Sequence, residues 1–154
     1  MELKDKVVVV TGGARGIGKA IAAAFAGRGA RIALLDLVPA DLEAARAELA
    51  ATGADVRVYP TNVAREEQVT AAIDGVVADF GRLDVLVNNA GIIKDALLVK
   101  VKDGAVAGRM TLEQWQAVID VNLTGVFLCG REAAVRGEDF VERANHLILA
   151  RDVK

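Results

Sequence analysis

Apolar residues in this chain alternate between short unbroken runs and helical repeats, and that alternation predicts a fold before any residue has a role. Val7 to Val10 is an unbroken β-branched run, and after the glycines of "TGGARGIG" the apolar positions Ile17, Ile21, Ala24 and Phe25 recur at helical spacing. This is strand, glycine turn, helix. Arg31 to Asp36 ("RIALLD") reads as a second buried strand, followed by a helix with Leu42, Ala45 and Leu49 on one face until Gly53 stops it. Asp55 to Pro60 alternates as a third strand would, Glu66 to Phe80 is amphipathic through Val69, Ile73, Val76 and Val77, and Leu83 to Val87 supplies a fourth strand. Thr111 with Gln114 forms a capping box that opens one long helix through Trp115, Val118, Ile119, Leu123 and Phe127. His146 to Ala150 ("HLILA") completes the pattern as a fifth strand.

Strand and helix in strict alternation predict right-handed crossovers, hence a Rossmann-type α/β fold: a doubly wound parallel sheet in three layers, α/β/α. Residues 1–154 are expected to form a single domain, since that length buries one sizeable core. One segment breaks the alternation. Val99 and Val101, then Asp103-Gly104, then Val106 predict a small hairpin arm, for which no role is read.

Composition narrows the picture. Hydrophobic residues make up 53% of the chain and aromatics 4%, so the core is expected to be Val, Ile, Leu and Ala, as in interior parallel strands under Ala-rich helices. A formal charge of −2 with mixed signs offers no basic footprint for nucleic acid. One cysteine, Cys129, cannot form an intrachain disulfide, and "MELKDKVVVVTGG" has too short an apolar run for a signal peptide. No segment approaches the roughly 20 apolar residues of a membrane span. A cytoplasmic setting, away from membranes and nucleic acid, is expected.

The first chemical signal is the glycine turn. Gly12, Gly16 and Gly18 lie between a buried strand and a helix, where missing side chains let the backbone turn tightly and approach a pyrophosphate at the helix N-terminus. Asp36 ends the second strand, 18 residues after Gly18, close to the position of an acid that hydrogen-bonds adenosine ribose hydroxyls. The blander reading, an acid that only solvates a loop, is weakened by the glycine turn upstream.

With these residues in hand, the chain resembles the short-chain dehydrogenase/reductase family. "TGGARGIG" is similar to its Thr-Gly-x-x-x-Gly-x-Gly turn, "NNAG" (Asn88 to Gly91) to its motif after the fourth strand, and "DVNLTGVF" to the helix bearing its catalytic asparagine. The resemblance covers residues 4–134 and is nearest in wording to the β-ketoacyl-acyl-carrier-protein reductase branch. It implies that Gly12, Arg15, Gly16, Ile17 and Gly18 hold the pyrophosphate and adjoining ribose, Asp36 and Leu37 the adenosine ribose, and Asn62 with Val63 the adenine. Asn89, Ala90 and Gly91 would line the path toward the nicotinamide. Asn62 departs from the family's frequent aspartate, although an amide oxygen still accepts from the adenine amino group. Asn122 matches a catalytic position whose backbone holds a water in a proton relay; otherwise it is only an asparagine within a helix.

Cofactor choice sets Arg15, a residue type that NADP-preferring members use, against Asp36, the NAD type. A carboxylate facing a 2′-phosphate in a partly desolvated pocket costs several kcal/mol, so NAD is expected over NADP. No cluster of His, Cys, Asp and Glu has metal-ligand spacing, so no metal is expected. His146 and Cys129 read as a surface or capping residue and a buried inert thiol.

What the family adds beyond the cofactor is not found in these residues. Its chemistry uses a Tyr-x-x-x-Lys pair and a serine, but the one tyrosine, Tyr59, is followed four residues later by Val63, and there is no serine. Family-like wording gives way after Ala134 to the charged "VRGEDFVERANH", with Asp152 and Val153 roughly where serines are expected. Three readings stay open. The chain is a truncated or frame-shifted form of an oxidoreductase acting on a ketone or secondary alcohol, such as a 3-oxoacyl thioester; or a non-catalytic dinucleotide-binding module; or a unit that exchanges elements with a second copy. The C-terminal strands of the sheet are expected to be missing, leaving the long helix without cover and making a homo-oligomer the expected state.

Overall fold

The computed structural model of the chain describes residues 2–137. Strand β1 (Val7–Thr11) is buried at every position, as a β-branched run becomes at the centre of a parallel sheet. Strand β2 (Arg31–Asp36) pairs with it on one side and β4 (Val85–Val87) on the other, with β3 (Val56–Pro60) beyond β2. All three pairings are parallel, and the order is β3-β2-β1-β4. Helices α1 (Gly16–Ala26), α2 (Pro39–Ala50) and α3 (Glu66–Phe80) make the crossovers.

Because side chains alternate across a strand, β1 and β2 feed two cores. Val8, Val10, Ile32 and Leu34 pack against Ala22 of α1 and Leu42, Ala45 and Leu49 of α2. Val7, Val9, Ala33 and Leu35 pack on the other face, against Val69, Ile73 and Val76 of α3 and Leu128, Cys129 and Ala133 of α5 (Gly125–Arg136). Each such side chain contributes about 1.5–3 kcal/mol on burial, which is why β1 needs no polar position before Thr11. The result is the expected doubly wound α/β/α arrangement. Local chemistry sets the element ends: Pro39 opens α2, Glu66 and Glu67 sit in the first turn of α3, and Gly81 closes α3 at φ 78°.

The structure differs from the sequence reading in two elements. The fourth strand was expected over Leu83 to Val87 but spans only Val85–Val87. Leu83 instead packs into the α3 core, and the Asp84 carboxylate accepts from the Val7 N–H at 2.9 Å and from Lys6 Nζ at 3.1 Å. The long helix is also interrupted. Thr111 and Gln114 do form the reciprocal cap of α4 (Leu112–Ile119), but Asp120–Thr124 is π-helical before α5 begins. The widened turn changes the phase of the helix, so Leu128, Cys129 and Ala133 face the α3 core while Asn122 reaches the loop after β4.

The hairpin arm is present as β5 (Val99–Lys102) and β6 (Ala105–Arg109), antiparallel. Asp103 and Gly104 both take left-handed conformations, φ 52° and 75°, as a two-residue hairpin turn requires. No helix among the described residues is long and apolar enough to cross a membrane. The expected strand at His146 to Ala150, and Asp152 and Val153, lie outside the described residues.

Candidate nucleotide cleft

The glycine turn leaves β1 at Gly12, whose φ of 63° suits glycine and whose position no side chain would fit: a Cβ there would lie 2.9 Å from Ala90 Cα. Gly18, in the first turns of α1, is tighter still. A Cβ would lie 2.1 Å from the Gly12 carbonyl oxygen, so α1 closes onto the turn only because that side chain is absent. The N-terminus of α1 has no side-chain cap and no acid in its first turn, leaving its free N–H groups and positive dipole end open to an anion.

Polar side chains lock this turn to its neighbours. The Thr11 hydroxyl accepts from the N–H groups of Asn89 and Ala90, each at 3.0 Å, and donates to the Val87 carbonyl at 3.4 Å. Asn89 Nδ2 donates to the carbonyls of Thr11 and Gly12 at 3.0 and 3.1 Å. The end of β4 is therefore stapled to the turn after β1. On the other flank, Asp36 Oδ2 accepts from the Ala14 N–H at 3.1 Å and Oδ1 from the Leu37 N–H at 2.7 Å. Each carboxylate oxygen keeps a lone pair free for a hydroxyl donor.

These contacts surround a cavity of about 290 Å3 at the carboxyl ends of the strands, where open α/β sheets bind ligands. The structure brings Gly12, Arg15, Asp36, Leu37, Asn62, Val63, Asn89, Ala90 and Gly91 together in its wall. Gly16, Ile17 and Gly18 sit beside it at the start of α1 rather than in its wall. Asn62 Oδ1 accepts from the Ala64 N–H at 3.0 Å and its own N–H donates to Gln68 Oε1 at 2.8 Å, which fixes the residue at the rim. Leu35, Thr61, Ile92 and Val121 also line the cleft and were not anticipated. Thr61 had a legible signal, as it directly precedes Asn62, whereas Val121 reaches the cleft only because of the π-helical turn. Thr11 does not line the cleft but positions it, and it stands in the glycine motif itself.

Asn122 stands outside the lining. Its Oδ1 accepts from the Ile92 N–H at 2.9 Å and its Nδ2 donates to the Ile92 carbonyl at 3.0 Å, so the amide imitates a paired strand residue. Tyr59 is directed elsewhere: its hydroxyl donates to Asp79 at 2.8 Å, and burial with that hydrogen bond pushes the phenol well above its ordinary range. Burial pushes the Cys129 thiol up to about 11, an unreactive state. Among the described residues, no group of His, Cys, Asp and Glu could hold a metal ion.

A doubly wound parallel sheet with a glycine turn and a carboxylate-edged cleft at its carboxyl end defines a Rossmann-type protein. The pattern of the short chain dehydrogenase family matches residues 6–139, and the chain belongs to that family. It is 44% identical over 128 residues to a Synechocystis protein named 3-oxoacyl-[acyl-carrier-protein] reductase, covering 82% of this chain and 48% of the relative. It is 42% identical over 126 residues to D-threitol dehydrogenase of Mycolicibacterium smegmatis, covering 82% of this chain and 45% of that one. The fold superposes on an NAD+-bound xylitol dehydrogenase with a TM-score of 0.76 at 34% identity, covering 88% of this chain and 49% of the other. The chain spans about half the length of the curated relatives it matches.

Proposed function

We propose that these residues are the cofactor-binding part of an NAD(P)-dependent oxidoreductase acting on a ketone or secondary alcohol, with NAD preferred over NADP. The observation that carries this reading is the Asp36 carboxylate, held at the cleft edge by two backbone N–H groups, one of them from the glycine turn. A fixed carboxylate accepts from the ribose 2′- and 3′-hydroxyls, whereas a 2′-phosphate would bring like charge against it. Gly12, Gly16, Ile17, Gly18 and Arg15 would hold the pyrophosphate side, Leu37, Asn62 and Val63 the adenosine side, and Asn89, Ala90 and Gly91 the nicotinamide side. When bound, the nicotinamide supplies hydride transfer. The chain's own part is to bind, orient and shield. The free lone pairs of Asp36 orient the ribose, the uncapped end of α1 offsets pyrophosphate charge, and Val63 with Leu37 flanks a flat base.

The substrate class rests on what the named relatives have in common. One is named for a 3-oxoacyl carrier-protein thioester and the other for a sugar alcohol at nearly equal identity, so the shared chemistry is carbonyl and secondary alcohol. A 3-oxoacyl thioester is the more specific proposal, from the wording around Asn122. That residue's side chain is committed to Ile92, which leaves its main chain as the group that would hold a water.

A second reading is favoured by one observation: the 154 residues contain no serine and no Tyr-x-x-x-Lys, so the proton-handling groups of the family are not among them. On this reading the chain as given binds dinucleotide without turnover. Calorimetric titration with NAD and NADP tests the first reading, with tighter NAD binding expected; tighter NADP binding would reverse the preference. Incubation with NADH and a 3-oxoacyl thioester separates the two, and measurable turnover would remove the non-catalytic reading.

A further inference from the structure

Among the described residues, Arg15 is the one cationic side chain in the cleft wall, directly before the α1 N-terminus. Its guanidinium also has a partner outside the cleft wall. It lies 3.7 Å from the carboxylate of Asp41, in the first turn of α2, and its side chain is 77% exposed. Asp41 does not line the cleft. The stretch from the end of β2 into the first turn of α2 thus carries two acids: Asp36 at the cleft edge and Asp41 outside the lining, paired with Arg15.

We infer that Asp41 is a positioning residue for cofactor selectivity: it draws Arg15 away from the adenosine ribose and thereby removes the cation that a 2′-phosphate would need. The inference rests on the proposed dinucleotide reading of the cleft. Its physical basis is competition for a single guanidinium. A 2′-phosphate gains a weaker charge-assisted pairing from a guanidinium already shared with Asp41 than from a free one, and NAD, with a neutral 2′-hydroxyl, makes no such demand. Asp36 discriminates by repulsion and Asp41 by withholding attraction, so the two contributions are separable.

The test is fluorescence or calorimetric titration of the full 154-residue chain with NAD and with NADP, at one ionic strength, for wild type, Asp41→Asn, Arg15→Gln and the double variant. Asp41→Asn is expected to raise the NADP to NAD affinity ratio about fivefold, the upper range for an exposed ion pair. In the Arg15→Gln background the same substitution is expected to leave the NADP to NAD ratio within about twofold. An unchanged ratio in the single variant overturns the inference. So does a shift that persists without Arg15, because that would be the general field of a lost acid. If wild type binds neither nucleotide, the reading of the cleft fails first, which a normal NAD affinity with an unmoved ratio does not imply. Asp41→Ser, which retains a residue suited to a helix start, repeats the comparison if the asparagine variant does not fold.

Discussion

Gly18 and Gly16 belong to the same turn and face different constraints. Gly18→Ala places a methyl 2.1 Å from the Gly12 carbonyl, a backbone atom that cannot swing aside, so the turn must open. The expected cost is about 1–3 kcal/mol of stability with loss of nucleotide binding. At Gly16 a Cβ meets nothing within 4 Å, and only its φ of 55° opposes a side chain. Urea melts and NAD titration of the two alanine variants check this: equal effects would mean that the close approach of α1 to the turn is not what Gly18 provides. Asp84 carries a second residue-scale expectation. Burial raises its carboxyl, but hydrogen bonds from Arg82, the Val7 N–H and Lys6 outweigh that and hold it below the usual carboxylate range. A pKa lowered on folding contributes stability above the unfolded value of about 3.9 and loses it as pH falls through the folded one. Asp84→Asn is therefore expected to lose about 1–3 kcal/mol at neutral pH, with the gap to wild type narrowing below about pH 4. A gap independent of pH in urea melts would place the effect in packing instead. Both glycines and Asp36 were legible because their chemistry is local: a positive φ at Gly16, a close approach to Gly12 of the same motif at Gly18, and an acid at a strand end. Asp84 was not, since beside the neighbouring Arg82 its partners Val7 and Lys6 lie 77 and 78 positions away and only the fold brings them together.

Between elements, α5 is held on α3 by charge as well as by apolar contact. Glu132 is nearly buried, and Arg131 and Arg136 on its own helix both pair with it while reaching across to Glu66 and Asp74 of α3. Hydrogen bonding from Arg131 leads the lowering of its carboxyl pKa, with Arg136 adding to it. Removing the shared acid leaves each arginine with its partner on α3 alone. Glu132→Ala is expected to destabilise by about 1–3 kcal/mol in urea melts, while Glu66→Ala, which removes an exposed partner of Arg131, changes the midpoint little. Comparable losses in the two variants would show that the central acid has no special place. Element identity was legible wherever period and punctuation agreed, down to the Asp103-Gly104 turn of the arm. The π-helical turn at Asp120–Thr124 was not, because apolar positions continue at near-helical spacing from Val118 to Phe127 and a single extra residue leaves no compositional trace. That turn is also what carries Val121 into the cleft wall, so the least legible element hid one of the site's lining residues.

For the whole molecule, the two faces of the sheet are not equally finished. Against α1 and α2 the core is closed, but along α4 and α5 several apolar residues are more than half exposed among the described residues, Phe127 with the Arg131 guanidinium over its ring at 5.4 Å. Leu123 is 63% exposed, Phe127 59% and Trp115 56%, with Leu112 and Val135 beside them on the same helical segment. A contiguous apolar strip of this kind favours self-association, since pairing two such strips removes both from water at roughly 25 cal/mol per Å2. Light scattering of the purified chain is expected to report a mass above that of the monomer, rising with concentration if the contact is weak. Leu123→Lys with Phe127→Lys places two cations in the strip while touching neither core, and is expected to return the chain to the monomer mass with NAD affinity retained, because the cleft opens at the carboxyl ends of the strands on other residues. A wild-type chain that stays monomeric at high concentration would show that the strip is not a self-association surface. A double variant that still associates would move the contact elsewhere, to exposed apolar residues such as Ile93, Leu97 and Leu98 after β4 or Val99, Val101 and Val106 of the β5–β6 arm.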